Sequence, residues 1–476
     1  MTTAEEVVKC VEYMSIQDDI RNGESDILEF KQELPQKDSK LLKTVVAFAN
    51  GYQGGRILFG VQDDGQINGV DIESIAALKD NLINMISEAC VPQIYVTLSV
   101  TSVEDKMILV AEIPHGHNTP YYLKKEGLQN GTYVRIGATT RRAEQEKLEE
   151  LILEGNNKSY DSVVAREAKP ANTEDIQALS QLIHSYLGDG KKPVTAEHMV
   201  GWRLLQRKGE QLMPTVAFRL LTRNDIYFAR VQCGAFAGTT TDVFLDKKEL
   251  CESVCEQLEQ AQNFILRHIN TGAVIDNLHR TNVYEIPIPA IREALSNAIL
   301  HRNYLTHANI RVAVFEDRVE IFSPGALYGI TRQEMMSGCS SLRNPILADV
   351  FHKMNIVEKW GSGIRRMCHA CDEAGIPRPD IAPTDTGVMV TFHRTKQSKL
   401  PAQPTPTQKT IVQSLSANQN AVLTFLRENP NATYLDICSH LQLSRDSVKW
   451  TISKLKAKSL IERIGGDKCG SWRVLE

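Results

Sequence analysis

The chain has 476 residues, of which 42% are hydrophobic and 24% charged, and it carries a net charge of −4. That is length for roughly three domains with cores of their own, and a balance too acidic to coat nucleic acid by charge alone. Any such contact must rest on local basic patches. No apolar run reaches ~18 residues, and the start Met1-Thr-Thr-Ala-Glu-Glu has neither a basic segment nor an apolar one. A cytoplasmic protein with no membrane partner is expected. The ten cysteines are scattered through the chain, so reduced thiols are the default.

The first domain is expected over residues 1–157. Glu24-Ser-Asp-Ile-Leu-Glu29-Phe-Lys31 opens it, and residues 41–50 read as a helix. Gly54-Gly55-Arg56-Ile57-Leu58-Phe59-Gly60-Val61 is a short apolar run with the look of a buried strand. Asp63-Asp64-Gly65 suits a tight turn, and Gly131-Thr-Tyr-Val-Arg135-Ile-Gly137 alternates as a strand. In this order the segments resemble the Schlafen AlbA-like domain, which implies an α/β nucleic-acid-binding unit. Some members of that family are metal-dependent endoribonucleases that use three carboxylates. Their positions are matched here by Glu24, Glu29 and Asp63, which the resemblance implies as catalytic and metal-binding residues. Clustered carboxylates hold divalent metals that activate water, although Glu and Asp near strand ends and turns are more often simply solvated. Lys31, Arg56, Arg135, Arg141 and Arg142 are candidate phosphate contacts, each also readable as an ordinary surface cation.

The second domain is expected over 158–394. Thr173-Glu-Asp-Ile reads as a capped helix start, and 250–269 as an amphipathic helix. Residues 228–236 read as strand joined to the sheet that follows. Gly188-Asp-Gly-Lys-Lys lacks the P-loop spacing, which occurs nowhere else in the chain, so no P-loop helicase motor is expected. Cys251 and Cys255 are one helical turn apart, as are Cys368 and Cys371; neither pair has further ligands at zinc spacing, and no metal is assigned to them.

The most informative stretch is Glu293-Ala-Leu-Ser-Asn297-Ala-Ile-Leu-His301-Arg302. Glu293, Asn297 and His301 recur every four residues and so share one face of a helix. Ala294, Leu295, Ala298 and Ile299 suit the packed side. A polar stripe on an apolar helix is costly unless it meets a ligand, a metal or a partner, and magnesium with a phosphate suits such a donor set. Residues 308–322 then read as a hairpin that ends in Ser323-Pro324-Gly325. Gly361-Ser362-Gly363 opens a helix whose first amides are placed to cradle phosphate.

Glu-x-x-x-Asn at a helix start resembles the N-box of GHKL ATP-binding domains. The longer pattern, continuing through Arg343-Asn344-Pro345 and Glu358-Lys359-Trp360-Gly361, resembles the divergent GHKL-like domain of RecG-like bacterial regulators. The resemblance implies ATP or another nucleotide with Mg2+ as cofactors. It implies Asn297 as magnesium ligand, Glu293 as general base, and His301, Gly325, Gly361 and Gly363 as nucleotide contacts. One departure stands out: the GHKL aspartate that reads adenine is absent, and Ser323 is near its place.

Residues 395–416 contain Gln, Ser, Thr and three prolines and read as a linker. The last unit, 417–476, reads as three helices and a hairpin, with Val448, Ile452 and Leu455 as the core face of the third helix. Arg445, Lys449 and Lys456 share an adjacent stripe. From Asn418 on, nine Lys or Arg face six Asp or Glu. The outline resembles the winged helix-turn-helix of bacterial transcription regulators, in which the third helix reads a major groove; dimerisation is the competing use of such a unit.

The expected fold class is thus α+β multidomain: a Schlafen AlbA-like α/β domain, a GHKL-like α/β sandwich and a winged helix. Three functions compete. The favoured one is a nucleotide-responsive, DNA-binding transcriptional regulator, an ATPase if Glu293 acts as base. The second is a metal-dependent nuclease of RNA or DNA centred on Glu24, Glu29 and Asp63. The third is a scaffold with vestigial sites. A homo-oligomer is expected.

Overall fold

A computed structural model describes residues 16–34, 39–187, 192–222, 229–276, 279–358, 361–384, 386–394, 417–441, 445–457, 460–464 and 471–474. The chain divides into two compact units, Met1–Leu400 and Pro401–Glu476. The linker expected at 395–416 falls outside the described residues. Among the described residues no helix is long and apolar enough to cross a membrane.

The N-terminal part of the first unit is built on a four-stranded sheet in the order Leu28–Lys31, Gly55–Phe59, Lys106–Ile113, Thr97–Val103. The first pair is parallel, so a crossover must join its strands, and helix Ser39–Ala49 supplies it. Both faces of the sheet are covered. Ile57 and Phe59 pack with Phe48, Leu82 and Leu109 on one side, and Leu58 packs with Phe30, Ile108 and Val110 on the other. This is why the 54–61 run is apolar at consecutive positions rather than alternating. The Asp63–Gly65 turn forms as expected: Gly65 has φ +84° and Asp64 Oδ1 accepts from Gln66 N. A hairpin, Tyr133–Ile136 with Thr139–Arg142, packs on the crossover helix. Asn50, at the end of that helix, is buried, donates to the Tyr121 and Tyr133 carbonyls and accepts from Tyr121 N.

The central part has a six-stranded sheet in the order Phe244–Leu250, Val231–Phe236, Ile310–Val314, Arg318–Pro324, Gly387–His393, Asp380–Pro383. Residues 231–236 therefore join the sheet, as their pattern implied. Helices Val254–His268 and Ile288–His301 pack against each other and on this sheet, in one core with Phe264, Ile291, Leu295, Val312 and Ile321. The helix expected at Thr173 begins there and Asn172 caps it: its Oδ1 accepts from Asp175 N at 2.7 Å, whereas the second helix starts later than its pattern implied. The second begins at Val254, because 244–250 are strand and Ser253 forms a capping box with Glu256.

The second unit contains helices Ala417–Glu428, Tyr434–Leu441 and Arg445–Ala457, then antiparallel strands Ile461–Ile464 and Ser471–Val474. Thr433 Oγ1 accepts from Asp436 N and so caps the second helix. Val448, Ile452 and Leu455 are buried, together with Val422, Leu426, Ile437 and Trp472. Trp472 Nε1 donates to Ala432 O at 3.0 Å.

Candidate functional site

Helix Ile288–His301 buries Ile291, Ala294, Leu295, Ala298 and Ile299. Glu293 and Asn297 emerge beside the start of helix Gly363–Glu373. The approach is close: a Cβ on Gly363 would run into Glu293 Oε1 and come within 3.6 Å of Asn297 Nδ2. Gly361, just before, has φ +61°, and a Cβ there would strike the Gly338 carbonyl. Only glycine satisfies both the left-handed backbone and the contact. The loop read from sequence as a phosphate cradle thus lies against the carboxylate and amide read as magnesium and nucleotide donors.

Both oxygens of Glu293 already have protein partners. Oε2 takes a 2.8 Å ion pair from Arg366, and Oε1 accepts from Asn297 Nδ2 at 3.2 Å. Arg366 also pairs with Glu358 at 2.7 Å. A carboxylate bonded in this way is not poised as a general base, so the structure describes a site latched by an arginine that sequence reading did not single out. The donor set of amide, carboxylate, guanidinium and glycine-led helix N-terminus still fits a magnesium polyphosphate chemically.

His301 is two turns from Glu293, about 12 Å along the axis, too far to share one metal centre. Burial, with Arg343 beside it, pushes its imidazole down to about 4. The half-buried ring is thus held in its neutral form, at the far end of the helix from Glu293. Ser323 is buried and its hydroxyl donates to Ala298 O at 2.7 Å, so it turns toward the helix rather than toward a base. Gly325 has φ +108° and is packed on Asn303 and Arg343, which gives it a structural use.

In the N-terminal part, Glu24 Oε1 accepts from Phe30 N at 2.9 Å. Glu29 holds Lys31 at 2.5 Å and Arg135 at 2.7 Å. Asp63 is exposed at its turn. Among the described residues no three His, Cys, Asp or Glu side chains gather as metal ligands, so the structure does not assemble Glu24, Glu29 and Asp63 into one centre. Arg135 corrects the list of phosphate contacts. Its side chain is only 4% exposed, donates to the Ser25 and Leu28 carbonyls, and lies 5.2 Å from the Phe48 ring centre. It clamps the hairpin to the first strand. Lys31 is likewise engaged by Glu29 and the Phe30 carbonyl, and Arg56 by Asp19 at 2.7 Å. Arg141 and Arg142 remain exposed on the hairpin.

In the second unit Lys449 and Lys456 are exposed on the third helix, and Lys456 Nζ lies 5.2 Å from the Trp472 ring centre. Arg445 begins that helix, and its side chain lies outside the described residues.

Sequence reading also missed a buried polar group at the foot of the stripe. Asp161 is fully buried and accepts from Ile346 N and Leu347 N, capping helix Pro345–Lys353. Burial pushes its carboxyl up to about 6 against the pull of those bonds. Asn344 donates to the Leu300 and Arg302 carbonyls. Arg343 donates to Glu150 and to the His301 and Ala326 carbonyls. The Arg-Asn-Pro string was the available signal, but its partners lie up to 193 residues away.

Residues 307–392 match the family described as "Putative ATP-dependent DNA helicase recG C-terminal". That stretch begins beyond His301, so the polar stripe lies outside it. Residues 24–144 match the family described as Schlafen, AlbA_2. Among solved structures, the DIP2311 protein of Corynebacterium diphtheriae is similar at 20% identity, covering 94% of this chain and 92% of that one, with a TM-score of 0.43. Another is the N-terminal domain of a "Putative ATP-dependent DNA Helicase RecG-related Protein" from Nitrosomonas europaea, at 23% identity. It covers 27% of this chain and 91% of its own, with a TM-score of 0.20. No curated protein matches the chain. The chain carries a Schlafen AlbA_2 domain over 24–144 and a RecG C-terminal ATPase-like domain over 307–392.

Proposed function

We propose that this protein is a nucleotide-responsive, nucleic-acid-binding regulator. The central domain takes ATP or a related nucleotide with magnesium, and the C-terminal unit acts as a winged helix on DNA. The observation that carries the reading is the seating of the Gly361–Gly363 loop against Glu293 and Asn297. A glycine-led helix N-terminus, an amide and a carboxylate within one contact shell are the donors a magnesium polyphosphate needs. In this reading Asn297 offers an oxygen to magnesium and the first amides of helix Gly363–Glu373 face phosphate. Arg366 turns from Glu293 toward the added negative charge. The description of the family matched at 307–392 speaks of ATP and DNA, which supports the same reading.

The C-terminal unit supports the DNA half through its order of three helices and a hairpin, with Lys449 and Lys456 exposed on the third helix. The nuclease reading has less support, since Glu29 is committed to Lys31 and Arg135. Gel-shift titration of duplex DNA with the whole protein, with and without magnesium ATP, tests the proposal. Retention of DNA that changes with nucleotide is the expected result. Retention identical in both conditions removes the nucleotide response, and no retention at all removes the DNA-binding role.

A further inference from the structure

Residues 326–344 link strand Arg318–Pro324 to helix Pro345–Lys353 and touch both the glycine loop and the N-terminal domain. They contain a short helix, Arg332–Ser337, capped by Thr331 and ended by Gly338 at φ +99°. On one side the Gly338 carbonyl abuts Gly361, Ser340 lies next to it, and the Arg365 guanidinium is 3.6 Å from where a Gly338 Cβ would stand. On the other side Arg343 makes a 3.1 Å ion pair with Glu150 of helix Gln145–Gly155, both side chains at most a tenth exposed. Tyr52 of the N-terminal domain reaches the same segment at Gly329.

We propose that residues 326–344 form a strap that the N-terminal domain holds down on the glycine loop, so that nucleotide binding and the grip of Glu150 on Arg343 oppose each other. This rests on the nucleotide reading given above. With the strap down, Gly361 is wedged under Gly338, and Gly363 sits on Glu293 with no room for even a methyl group between them. In the proposal a phosphate that reaches the first amides of helix Gly363–Glu373 shifts the loop off Glu293, and the loop cannot shift without displacing Gly338 of the strap. A small cleft lies beside the strap, lined by Glu150, Leu153, Lys158, Tyr160, Tyr328 and Arg343 among others, so the Glu150–Arg343 tie borders open space. Thermodynamic linkage makes the effect reciprocal: whatever loosens the tie strengthens nucleotide binding, and nucleotide loosens the tie by the same factor.

The experiment uses the full chain and magnesium ATP as probe. Calorimetry compares wild type with Glu150→Gln and with Tyr52→Ala; Tyr52 is 48% exposed, and its removal leaves the buried pair intact. Hydrogen exchange of wild type follows residues 145–155 with and without magnesium ATP. The expected result is tighter binding by about fivefold or more in the variants, with faster exchange at 145–155 when nucleotide is present. Unchanged or weaker binding in the variants, with exchange at 145–155 indifferent to nucleotide, overturns the strap and leaves the nucleotide reading standing. No binding by wild type overturns both.

Discussion

At the scale of single residues, several charged groups read from sequence as working parts turn out to hold the fold together. Glu29 is the clearest case. Sequence spacing places it in a carboxylate trio, yet its oxygens are taken by Lys31 and by the nearly buried Arg135. Removing one partner of a buried pair leaves the other uncompensated, at roughly 3–5 kcal/mol. Glu29→Ala is therefore expected to lower the unfolding free energy by an amount in that range, read as a lower urea midpoint, so any loss of cleavage in this variant would include a folding effect. Asp63→Ala, at an exposed turn, is the cleaner test of nuclease chemistry and should leave the midpoint unchanged. A Glu29→Ala protein as stable as wild type would show that the Arg135 clamp is not structural.

Two titratable groups near the end of helix Ile288–His301, the buried Asp161 and the half-buried His301, give a second test. Asp161 has a folded value of about 6, above its ordinary 3.8. Its contribution to stability is present below about pH 4 and lost as pH rises through 6. His301 has a folded value of about 4, below its ordinary 6.5, with Arg343 as its charged neighbour. Its contribution is present above pH 6.5 and lost as pH falls through 4. Each shift of about two units amounts to roughly 3 kcal/mol, and in wild type the two oppose each other. Relative to wild type, Asp161→Asn should gain stability as pH rises from 4 to 7, and His301→Gln should gain as pH falls over the same range. Parallel profiles in denaturant titrations at several pH values would refute both assignments.

At the scale of elements, much was legible because the signals are local. The 308–322 hairpin, the 41–50 helix and the Val448, Ile452, Leu455 face follow from periodicity, and the structure has them. Helix starts were legible to within a few residues: one begins at Thr173 as expected, while the helix expected over 250–269 begins only at Val254, behind the Ser253 cap. Partners distant in sequence were not legible at all. Nothing near Glu293 announces Arg366, and nothing near Arg343 announces Glu150, because those pairings are set by how helices pack. The third helix of the C-terminal unit makes its own prediction. If it reads a groove, Lys449→Ala should weaken DNA retention across sequences and reduce the salt slope of binding by about one. Retention and slope equal to wild type would assign that helix to protein contact instead.

At the scale of the whole molecule, a Schlafen AlbA_2 domain, an ATPase-like domain and a C-terminal helical unit lie on one chain. In the function proposed above, the middle domain senses and the flanking parts respond. That scheme depends on the central site taking a nucleotide in spite of the Arg366 latch. A ligand that binds only the folded state stabilises it by RT ln(1 + [L]/Kd), about 2.7 kcal/mol at a hundredfold excess over Kd. The decisive measurement is thermal unfolding of the full chain with and without saturating magnesium ATP, for wild type and for Asn297→Ala. A rise in the wild-type midpoint of several degrees that Asn297→Ala abolishes is the predicted result. A midpoint that ignores magnesium ATP in wild type, or that rises equally in the variant, contradicts the account.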